Sequence, residues 1–277
     1  MSLVVCPTPI GNLEDVTLRV LSALREADVV ACEDTRRTRK LLDRHGVTAT
    51  LVSHHEHNEQ HRAPQLVERM NAGETVALVS DAGMPLVSDP GFVLVRACVS
   101  AGLAVEVLPG PSAVIAALVA SALPADRWRF AGFLPRKKGE LRQVLCEGGG
   151  TLVAFESPRR IPATLALLAE IDPERQAAVC RELTKMHEEV VRGSAAELAA
   201  RYAGTAPKGE VVLVLGPSAA DRAEGRGSAA GYGPEEPAGL EQLRRLVDAG
   251  AKPRAAAGAV AELTGGSANA LYRALTG

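Results

Sequence analysis

The sequence predicts an α/β fold of two α/β lobes with a cofactor cleft between them, followed by a small C-terminal helical tail. The clearest evidence is a β-loop-α-β unit in residues 75–113, in which two apolar segments, 76–79 and 105–108, flank a helical run over residues 92–101. Each apolar segment runs directly into a loop rich in glycine, proline and serine. A similar alternation restarts after residue 150, which indicates the second lobe.

Changes in composition divide the chain into four predicted segments. A boundary near Pro124 separates an N-terminal α/β domain, residues 1–123, from a C-terminal α/β domain, residues 124–217. Residues 218–238 are rich in alanine, glycine and proline, and we expect a flexible linker there. Residues 239–277 form the small helical domain, which we interpret as a packing appendage, with a helix-turn-helix as the alternative.

The first lobe alternates predicted strands and helices. Glu14 and Asp15 stand where a helix dipole favours carboxylates, and Thr35 is a suitable cap for a basic helix. A polar segment, residues 53–59, precedes the last helix of the unit. The predicted order is a strand at 3–6, a rigid loop at 7–12, a helix at 13–27, a strand at 29–32, a helix at 36–45, a strand at 51–52 and a helix ending at Met70.

The second lobe and the tail contain further apolar segments and helical runs. Gly265 and Gly266 break the tail pattern, and Ser267 is expected to cap the helix after them. The predicted elements are a helix at 113–122, an extended segment at 125–133, a helix ending near 147, strands at 151–156, 177–180 and 209–216, a helix at 161–170, and tail helices at 240–247, 255–263 and 268–275.

The composition bounds the class of protein. The 277 residues are 47% hydrophobic and suffice for a large buried core. The formal net charge of −2 gives no overall signal for nucleic acid, so any such contact must depend on local patches. Five cysteines, an odd number without paired CxxC spacing, favour a reducing compartment. Because no basic start followed by a long apolar run is present, we expect a cytoplasmic protein.

Three loops follow predicted strands and are expected to converge. They read PTPIGN, SDAGMPLVSDPG and PGPSA. Since the carboxyl ends of parallel strands meet at one edge of a sheet, these loops predict a cradle for a polar small molecule. Neither GxxxxGK[ST] nor GxGxxG follows the first strand, which disfavours a dinucleotide-binding or nucleoside-triphosphate-hydrolysing protein.

Basic residues form three clusters near the predicted cleft. Each cluster alone is typical of a solvated surface, but all follow strands or loops at the cleft edge. Together they predict a rim that contacts RNA phosphates without reading sequence. The predicted RNA-binding residues are Arg36, Arg37, Arg39 and Lys40, then Arg136, Lys137 and Lys138, then Arg159 and Arg160.

Histidines in the segment SHHEHN raise the question of a metal. The spacing of His54, His55 and His57 does not match a tetrahedral site, and the cysteines have the pattern of small core residues. We therefore predict no metal and a polar loop near the mouth of the cleft.

The ordered motifs resemble the tetrapyrrole methylase superfamily, the class III S-adenosylmethionine-dependent methyltransferases. They are most similar to its ribosomal RNA small subunit methyltransferase I branch. The matching motifs lie between residues 3 and 216, and the tail ELTGGSANALYRAL is similar too. They read PTPIGNLEDVTLR, ACEDTRRTRKLL, SHHEHN, LVSDAGMPLVSDPG, VLPGPSA, GFLPRKKGE, TLVAFESPRRI, CRELTKMHEE and KGEVVLVLG.

The resemblance implies S-adenosyl-L-methionine as cofactor, folded in the cleft, and a homodimer. Ser80-Asp81-Ala82 replaces the GDP tripeptide of the tetrapyrrole enzymes, which argues against a porphyrinoid substrate. It implies instead 2′-O-methylation of a cytidine of 16S ribosomal RNA in the decoding region. The cofactor positions carried over are Pro9, Ile10, Asp81, Ala82, Gly83, Met84, Ser88, Ser112, Ala113, Phe155, Leu183, Lys208 and Gly209.

Catalysis of this reaction needs alignment and a proton acceptor. A ribose hydroxyl is a poor nucleophile at neutral pH, so a carboxylate or lysine within reach would help. Asp34 is favoured because its strand end faces the cradle, while capping of the next helix is the equally supported alternative. The other candidates are Glu156 and Glu182 or Lys185.

The RNA target must be presented unpaired or flipped. Because the chain has few aromatic residues to stack bases, we expect recognition of the assembled 30S subunit rather than of short free RNA. Two alternatives stay open. One is a methyltransferase of a tetrapyrrole-like small molecule, and the other is a non-catalytic nucleotide-binding module.

Overall fold

A computed structural model of the chain describes residues 2–223, 239–264 and 267–276. The chain divides into two compact units, with the division between Gly227 and Ser228. The first unit contains two five-stranded sheets, and the second contains helices. The predicted class, two α/β layers and a helical tail, is confirmed.

The first sheet is entirely parallel, in the order β3-β2-β4-β1-β5. Successive side chains of β1 enter different cores: Leu3 and Val5 belong to one apolar cluster and Val4 to the other, which also contains Cys6 just after the strand. The strands are β1 (Ser2–Val5), β2 (Val29–Cys32), β3 (Leu51–Ser53), β4 (Val76–Val79) and β5 (Ala104–Val107); the helices are α1 (Leu18–Glu26), α2 (Thr35–Arg44), α3 (Glu59–Asn71) and α4 (Phe92–Ser100).

The second sheet has the order β6-β7-β10-β8-β9, in which only β6 and β7 are parallel. Helix α5 packs on one face of this sheet, although it precedes the predicted domain boundary at Pro124. The strands are β6 (Trp128–Phe133), β7 (Thr151–Glu156), β8 (Gln176–Arg181), β9 (Glu189–Ser194) and β10 (Val211–Leu215); the helices are α5 (Ala113–Ser121), α6 (Lys138–Cys146), α7 (Ile161–Ile171) and α8 (Ala195–Tyr202).

Several local expectations need correction. The helix predicted from residue 13 begins as α1 at Leu18, because the side chain of Thr17 caps it by accepting the N–H of Val20 at 3.2 Å. Asp34, rather than the predicted Thr35, caps α2. Strand β9 and helix α8 were not predicted. Their junction is a capping box in which Ser194 and Glu197 bond reciprocally.

The predicted linker begins with ordered structure instead. Helix α9 (Ala219–Ala223) follows β10, and Asp221 is buried. Its carboxylate accepts hydrogen bonds from the backbone N–H groups of Gly149, at 2.8 Å, and Gly150, at 3.3 Å. Residues 224–238, the rest of the predicted linker, lie outside the described residues. The predicted domain boundaries stay a prediction.

The second unit contains α10 (Leu240–Asp248), α11 (Pro253–Thr264) and α12 (Ala268–Thr276). Leu243, Val260 and Leu271 lie in their shared apolar core. The predicted break at residues 265–266 lies outside the described residues.

Candidate active site

A pocket of about 320 Å³ lies between the two sheets. One wall comes from the loops after β1, β4 and β5, which share the carboxyl edge of the parallel sheet. The other wall comes from the ends of β6, β7 and β8 and the start of β10. The predicted convergence of three loops on a cleft is therefore present.

The first and second loops are joined by backbone hydrogen bonds. Thr8 and Gly83 exchange both N–H···O=C bonds, each at 2.9 Å. The hydroxyl of Thr8 also donates to the carbonyl oxygen of Ser80 at 3.0 Å. The proline-rich first loop, which alone reads as a stiff turn, thus becomes part of the wall that holds the second loop.

Glycine is required at two positions of these loops. Gly83 has a φ of +80°, and a Cβ there would lie 3.4 Å from Cγ2 of Ile10, another pocket residue. Gly110 of the third loop lies so close to the ring of Pro7 that a Cβ would collide with it. The third loop therefore packs directly on the first.

The pocket combines apolar walls with carboxylates. Ile10, Val114, Leu183 and Phe155 supply apolar surface. Asp89, Glu156 and Glu210 also line it, and no lysine, arginine or histidine does among the residues that the structure describes. Such a lining suits a ligand that has an apolar part and a positive charge.

Most of the predicted cofactor positions line this pocket. The exceptions are Pro9, which is buried, Asp81 and Lys208. Lys208 lines a different cavity of about 430 Å³ together with Arg181, Arg201 and Tyr202. Its neighbour Gly209 lines the pocket, and the cofactor role of Lys208 stays a prediction.

Sequence reasoning missed several residues of the pocket. Asp89 stands in the predicted loop SDAGMPLVSDPG without a role of its own, and Phe133, Ser157 and Cys180 were not assigned to the site. The motif FESPRR contained a signal, because polar residues directly after a predicted strand lie at its carboxyl end. The sequence contained no such signal for Cys180, because a cysteine within an apolar strand is typical of the protein core.

A family model describes most of this region of the chain. The model for Tetrapyrrole (Corrin/Porphyrin) Methylases matches residues 2–199.

The chain belongs to the tetrapyrrole methylase family.

Three similar relatives carry the name Ribosomal RNA small subunit methyltransferase I. The protein of that name from Mesorhizobium japonicum is 45% identical over 97% of this chain and 89% of its own length. The Mycobacterium bovis protein is 49% identical over 75% of each chain. The Halalkalibacterium halodurans protein is 47% identical over 75% of this chain and 73% of its own.

Solved structures of other tetrapyrrole methylases share the fold. Uroporphyrin-III-C-methyltransferase from Thermus thermophilus superimposes with a TM-score of 0.56, at 22% identity, over 80% of this chain and 97% of that chain. The methyltransferase CobJ gives a TM-score of 0.57 at 22% identity, over 79% and 95%. At this identity the likeness shows the fold alone.

In this tetrapyrrole methylase, Asp34 lies outside the pocket and caps α2. Its carboxylate accepts the backbone N–H of Arg36 at 2.8 Å and two further bonds from the guanidinium of the same residue. The hydrogen bond from the Arg36 side chain, followed by that from its backbone, lowers the pKa of Asp34 to about 2. A carboxylate this acidic is a weak proton acceptor, so the capping interpretation is the one that the geometry favours.

The other three catalytic candidates, Glu156, Glu182 and Lys185, also have hydrogen-bond partners within the protein. Glu156 lines the pocket but is buried, and it accepts from Thr164 Oγ1 at 2.8 Å, from its neighbour's backbone N–H at 2.7 Å and from Arg160 at 3.3 Å. Lys185 donates to Glu182 and Glu210, both at 2.9 Å. Burial lowers the pKa of Lys185, but these hydrogen bonds outweigh burial and raise it, so Lys185 stays protonated.

The predicted RNA-binding residues fall into two groups. Several are held by other side chains: Arg37 ion-pairs with Asp81 at 3.4 Å, and Arg160 donates to Glu156 and to the carbonyl oxygens of Leu134 and Pro135. Arg36, Lys137 and Lys138 pair with Asp34, Glu140 and Glu170. Arg39, Lys40, Arg136 and Arg159 are exposed and have no ion-pair partner in the part of the chain that the structure describes.

The histidine segment follows β3 and leads into α3. His54 is 1% exposed, and burial lowers its pKa. The next helix, α3, begins with Glu59, whose Oε2 accepts the backbone N–H of Gly91 at 3.1 Å. Within residues 2–223, 239–264 and 267–276, no group of three histidine, cysteine or acidic residues is placed to hold a metal ion.

None of the helices within the described ranges is both long and apolar enough to cross a membrane.

Proposed function

We propose that this tetrapyrrole methylase transfers methyl groups from S-adenosyl-L-methionine to RNA of the small ribosomal subunit. The observation that carries the proposal is its identity of 39% to 49% to relatives named Ribosomal RNA small subunit methyltransferase I. The finer target, the ribose 2′-hydroxyl of a cytidine in the decoding region of 16S RNA, is supported by the ordered motifs of the sequence.

The chemistry of the pocket fits this cofactor. Its apolar walls suit an adenosine and a thioether, and its carboxylates suit the positive charges of a sulfonium and an ammonium. When bound, the cofactor supplies a methyl group on positively charged sulfur. The loop residues Ala82, Gly83 and Met84, together with Ser112 and Ala113, would hold it from the first sheet, and Phe155, Leu183 and Gly209 from the second.

The exposed basic residues support the assignment of RNA as the acceptor. Arg39 and Lys40 lie on α2, which begins at the carboxyl edge of the first sheet, and Arg136 and Arg159 follow β6 and β7. Phe133, at the end of β6, and Pro158, just before Arg159, line the pocket. Arg136 and Arg159 are therefore on segments that lead to the pocket, and all four cations are exposed and available for phosphate oxygens.

The partners follow from the same proposal. We propose that the assembled 30S subunit is the substrate, that the protein works as a homodimer and that it acts in the cytoplasm. Exposed apolar side chains at Val107 of β5 and at Ile115 and Val119 of α5 support a protein interface.

The test is methyl transfer from labelled S-adenosylmethionine to two acceptors offered separately. Small subunits and deproteinised small-subunit RNA are both taken from cells that lack the gene. We expect label on the subunit, in a nucleotide whose ribose oxygen carries the methyl group, and little label on free RNA. If neither acceptor is labelled while S-adenosylhomocysteine binds, the acceptor is a small molecule and the RNA proposal is wrong.

A further inference from the structure

A second cavity, of about 430 Å³, lies at the edge of the second sheet that also borders the pocket. Arg181 and Lys208 line this cavity, whereas their chain neighbours Cys180 and Gly209 line the pocket. Successive side chains of β8 point to opposite faces of the sheet, and Val179 and Cys180 belong to different apolar cores. This cavity, which we call the Lys208 cavity, is therefore on the opposite face of the sheet from the pocket.

The lining of the Lys208 cavity is mainly cationic. Arg181, Arg201 and Lys208 line it together with a single carboxylate, that of Glu189. One oxygen of this carboxylate pairs with Arg181 at 3.3 Å and the other with Arg201 at 3.1 Å. Lys208 has no ion pair in the part of the chain that the structure describes. Three cations and one carboxylate leave an excess of positive charge in the lining, which favours an anion.

The donors of the Lys208 cavity are positioned by the protein itself. The guanidinium of Arg181 donates to the carbonyl oxygen of Lys208 at 3.2 Å, and so joins the end of β8 to the segment before β10. After α8, the backbone N–H of Thr205 donates to the carbonyl oxygen of Tyr202 at 3.1 Å. The hydroxyl of Thr205 makes no hydrogen bond within residues 2–223, 239–264 and 267–276. Guanidinium, ammonium and hydroxyl donors around one cavity match the acceptor oxygens of a phosphate group.

Tyr202, which also lines the Lys208 cavity, has a buried hydroxyl. The residue is 7% exposed and packs in the apolar core of the second sheet. Burial, followed by the carboxylate of Glu189, raises its pKa against the opposing effect of Arg201, so the hydroxyl keeps its proton. Although Arg201 lies close, the hydroxyl makes no hydrogen bond of normal geometry within the described ranges. Because a buried hydroxyl without a partner is unfavourable, this wall suits a ligand that bears oxygen better than an apolar one.

We propose that the Lys208 cavity binds a phosphate group and that this group belongs to the backbone of the RNA substrate. The assignment to RNA rests on the proposed function. An RNA whose target nucleotide enters the pocket passes the shared edge of the second sheet, where the Lys208 cavity holds a phosphate on the other face. A free phosphate is the other source of the same chemistry, and the test separates the two.

The first measurement is the salt dependence of binding to small subunits, made by filter binding with Lys208→Gln and Arg201→Gln. Each variant removes one cation from the lining, so the slope of log affinity against log salt concentration should fall by about 0.7–0.9. Arg25→Gln, which replaces an exposed arginine of α1, should leave the slope unchanged. Urea unfolding should give all three variants nearly the wild-type midpoint, because the replaced side chains are exposed.

The second measurement is a titration of the ligand-free protein with inorganic phosphate, followed by NMR at the backbone amide of Thr205. Potassium chloride at equal ionic strength is the control. We expect a saturable shift with phosphate in the wild type and in Arg25→Gln, and its loss in Lys208→Gln and Arg201→Gln. The dissociation constant of S-adenosylhomocysteine, measured by calorimetry, should stay within about threefold of wild type in Arg201→Gln.

Three results would contradict the proposal. Unchanged salt slopes together with no phosphate-dependent shift would overturn it altogether. A phosphate-dependent shift with unchanged salt slopes would make a free phosphate the ligand and overturn the assignment to RNA. Weaker S-adenosylhomocysteine binding in Lys208→Gln, with an unchanged slope, would make Lys208 a cofactor-binding residue instead. If the wild type labels no RNA, the proposed function fails, whereas the phosphate titration still tests the Lys208 cavity.

Discussion

The backbone N–H of Asp34 donates a hydrogen bond of 3.0 Å to Oδ1 of Asp81. This bond connects the loop after β2 to the loop after β4, which are neighbouring strands of the parallel sheet. Arg37 binds the other oxygen of the same carboxylate at 3.4 Å. Asp81 therefore organises the rim of the pocket without lining it.

Replacing Asp81 should separate this organising role from cofactor contact. Asp81→Ala leaves the N–H of Asp34 without its acceptor, and we expect the free energy of unfolding to fall by about 1–2 kcal/mol. The affinity for S-adenosylhomocysteine should fall too, because Ala82, Gly83 and Met84 follow directly. Asp81→Asn keeps an acceptor oxygen and should retain most of both quantities. Urea unfolding measures the free energy of unfolding, and calorimetry measures the affinity for S-adenosylhomocysteine. Equal losses in Asp81→Ala and Asp81→Asn would contradict the organising role of Asp81.

Asp34 provides a second comparison. Asparagine caps helices about as well as aspartate, so Asp34→Asn should unfold at nearly the wild-type urea concentration, whereas Asp34→Ala should unfold earlier. Because the pKa of Asp34 is lowered to about 2, we expect turnover per folded molecule to stay near wild type in Asp34→Asn. A large loss of turnover there, with the cofactor affinity intact, would restore Asp34 as the proton acceptor.

Gly83→Ala should weaken cofactor binding, and Gly102→Ala is its matched control. Both glycines have positive φ, +80° and +68°, so alanine should cost each about 1–2 kcal/mol of unfolding free energy. Only Gly83 lines the pocket, whereas a Cβ at Gly102 meets nothing within 4 Å. We expect the dissociation constant of S-adenosylhomocysteine to rise in Gly83→Ala alone. An equal rise in Gly102→Ala would show that strain, and not the pocket, is responsible.

The buried Asp221 should make stability depend on pH. Burial acts to raise the pKa of Asp221, but the hydrogen bonds from Gly149, Ser218 and Gly150 outweigh it and lower the pKa from 3.8 to about 2. A lowered pKa stabilises the folded state above the unfolded pKa, and this stabilisation is lost as the pH falls from about 4 to about 2.

The measurement is the difference in unfolding free energy between the wild type and Asp221→Asn across that window. It should shrink by on the order of 1–2 kcal/mol between pH 5 and pH 2, allowing for solvent screening. Asp43→Asn, an exposed carboxylate, should show no such trend. A difference that is constant with pH would contradict the assignment.

The sequence predicted those features of the fold that depend on contacts between residues close together in the chain. The three loops were predictable because glycine, proline and serine directly follow apolar strands, and parallel strands bring such loops together. The capping residue of α2 was not predictable from the sequence. Asp34 and Thr35 both have a side-chain oxygen that can cap a helix, and only the backbone geometry selects Asp34. Strand β9 was missed because its side chains are only partly buried.

The chemistry of the site depended on contacts that are distant in the chain. Burial raises the pKa of Asp89, and the carboxylate of Glu33, which follows a different strand, raises it further. No spacing rule connects these two residues. Asp221 lies in the predicted flexible linker, although its carboxylate accepts hydrogen bonds from the glycines near residue 150. Lys208 was carried over with its neighbour Gly209, and only the structure separated them into two cavities.

Removing the unpaired cations should weaken RNA binding and its dependence on salt. Each cation that no longer neutralises a phosphate should reduce the slope of log affinity against log salt concentration by about 0.7–0.9. We therefore expect smaller slopes for Arg39→Gln, Lys40→Gln, Arg136→Gln and Arg159→Gln, measured by filter binding to small subunits. Arg25→Gln, an exposed arginine of α1, is the control and should leave the slope unchanged. Unchanged slopes in all four variants would show that these four cations do not contact the RNA phosphates.

The most direct measurement is nucleoside mass spectrometry of small-subunit RNA from cells with and without the gene. We predict that 2′-O-methylcytidine is lost on deletion and returns with the wild-type gene. An unchanged amount of 2′-O-methylcytidine after deletion would contradict the central claim that this pocket methylates a ribose of the small ribosomal subunit.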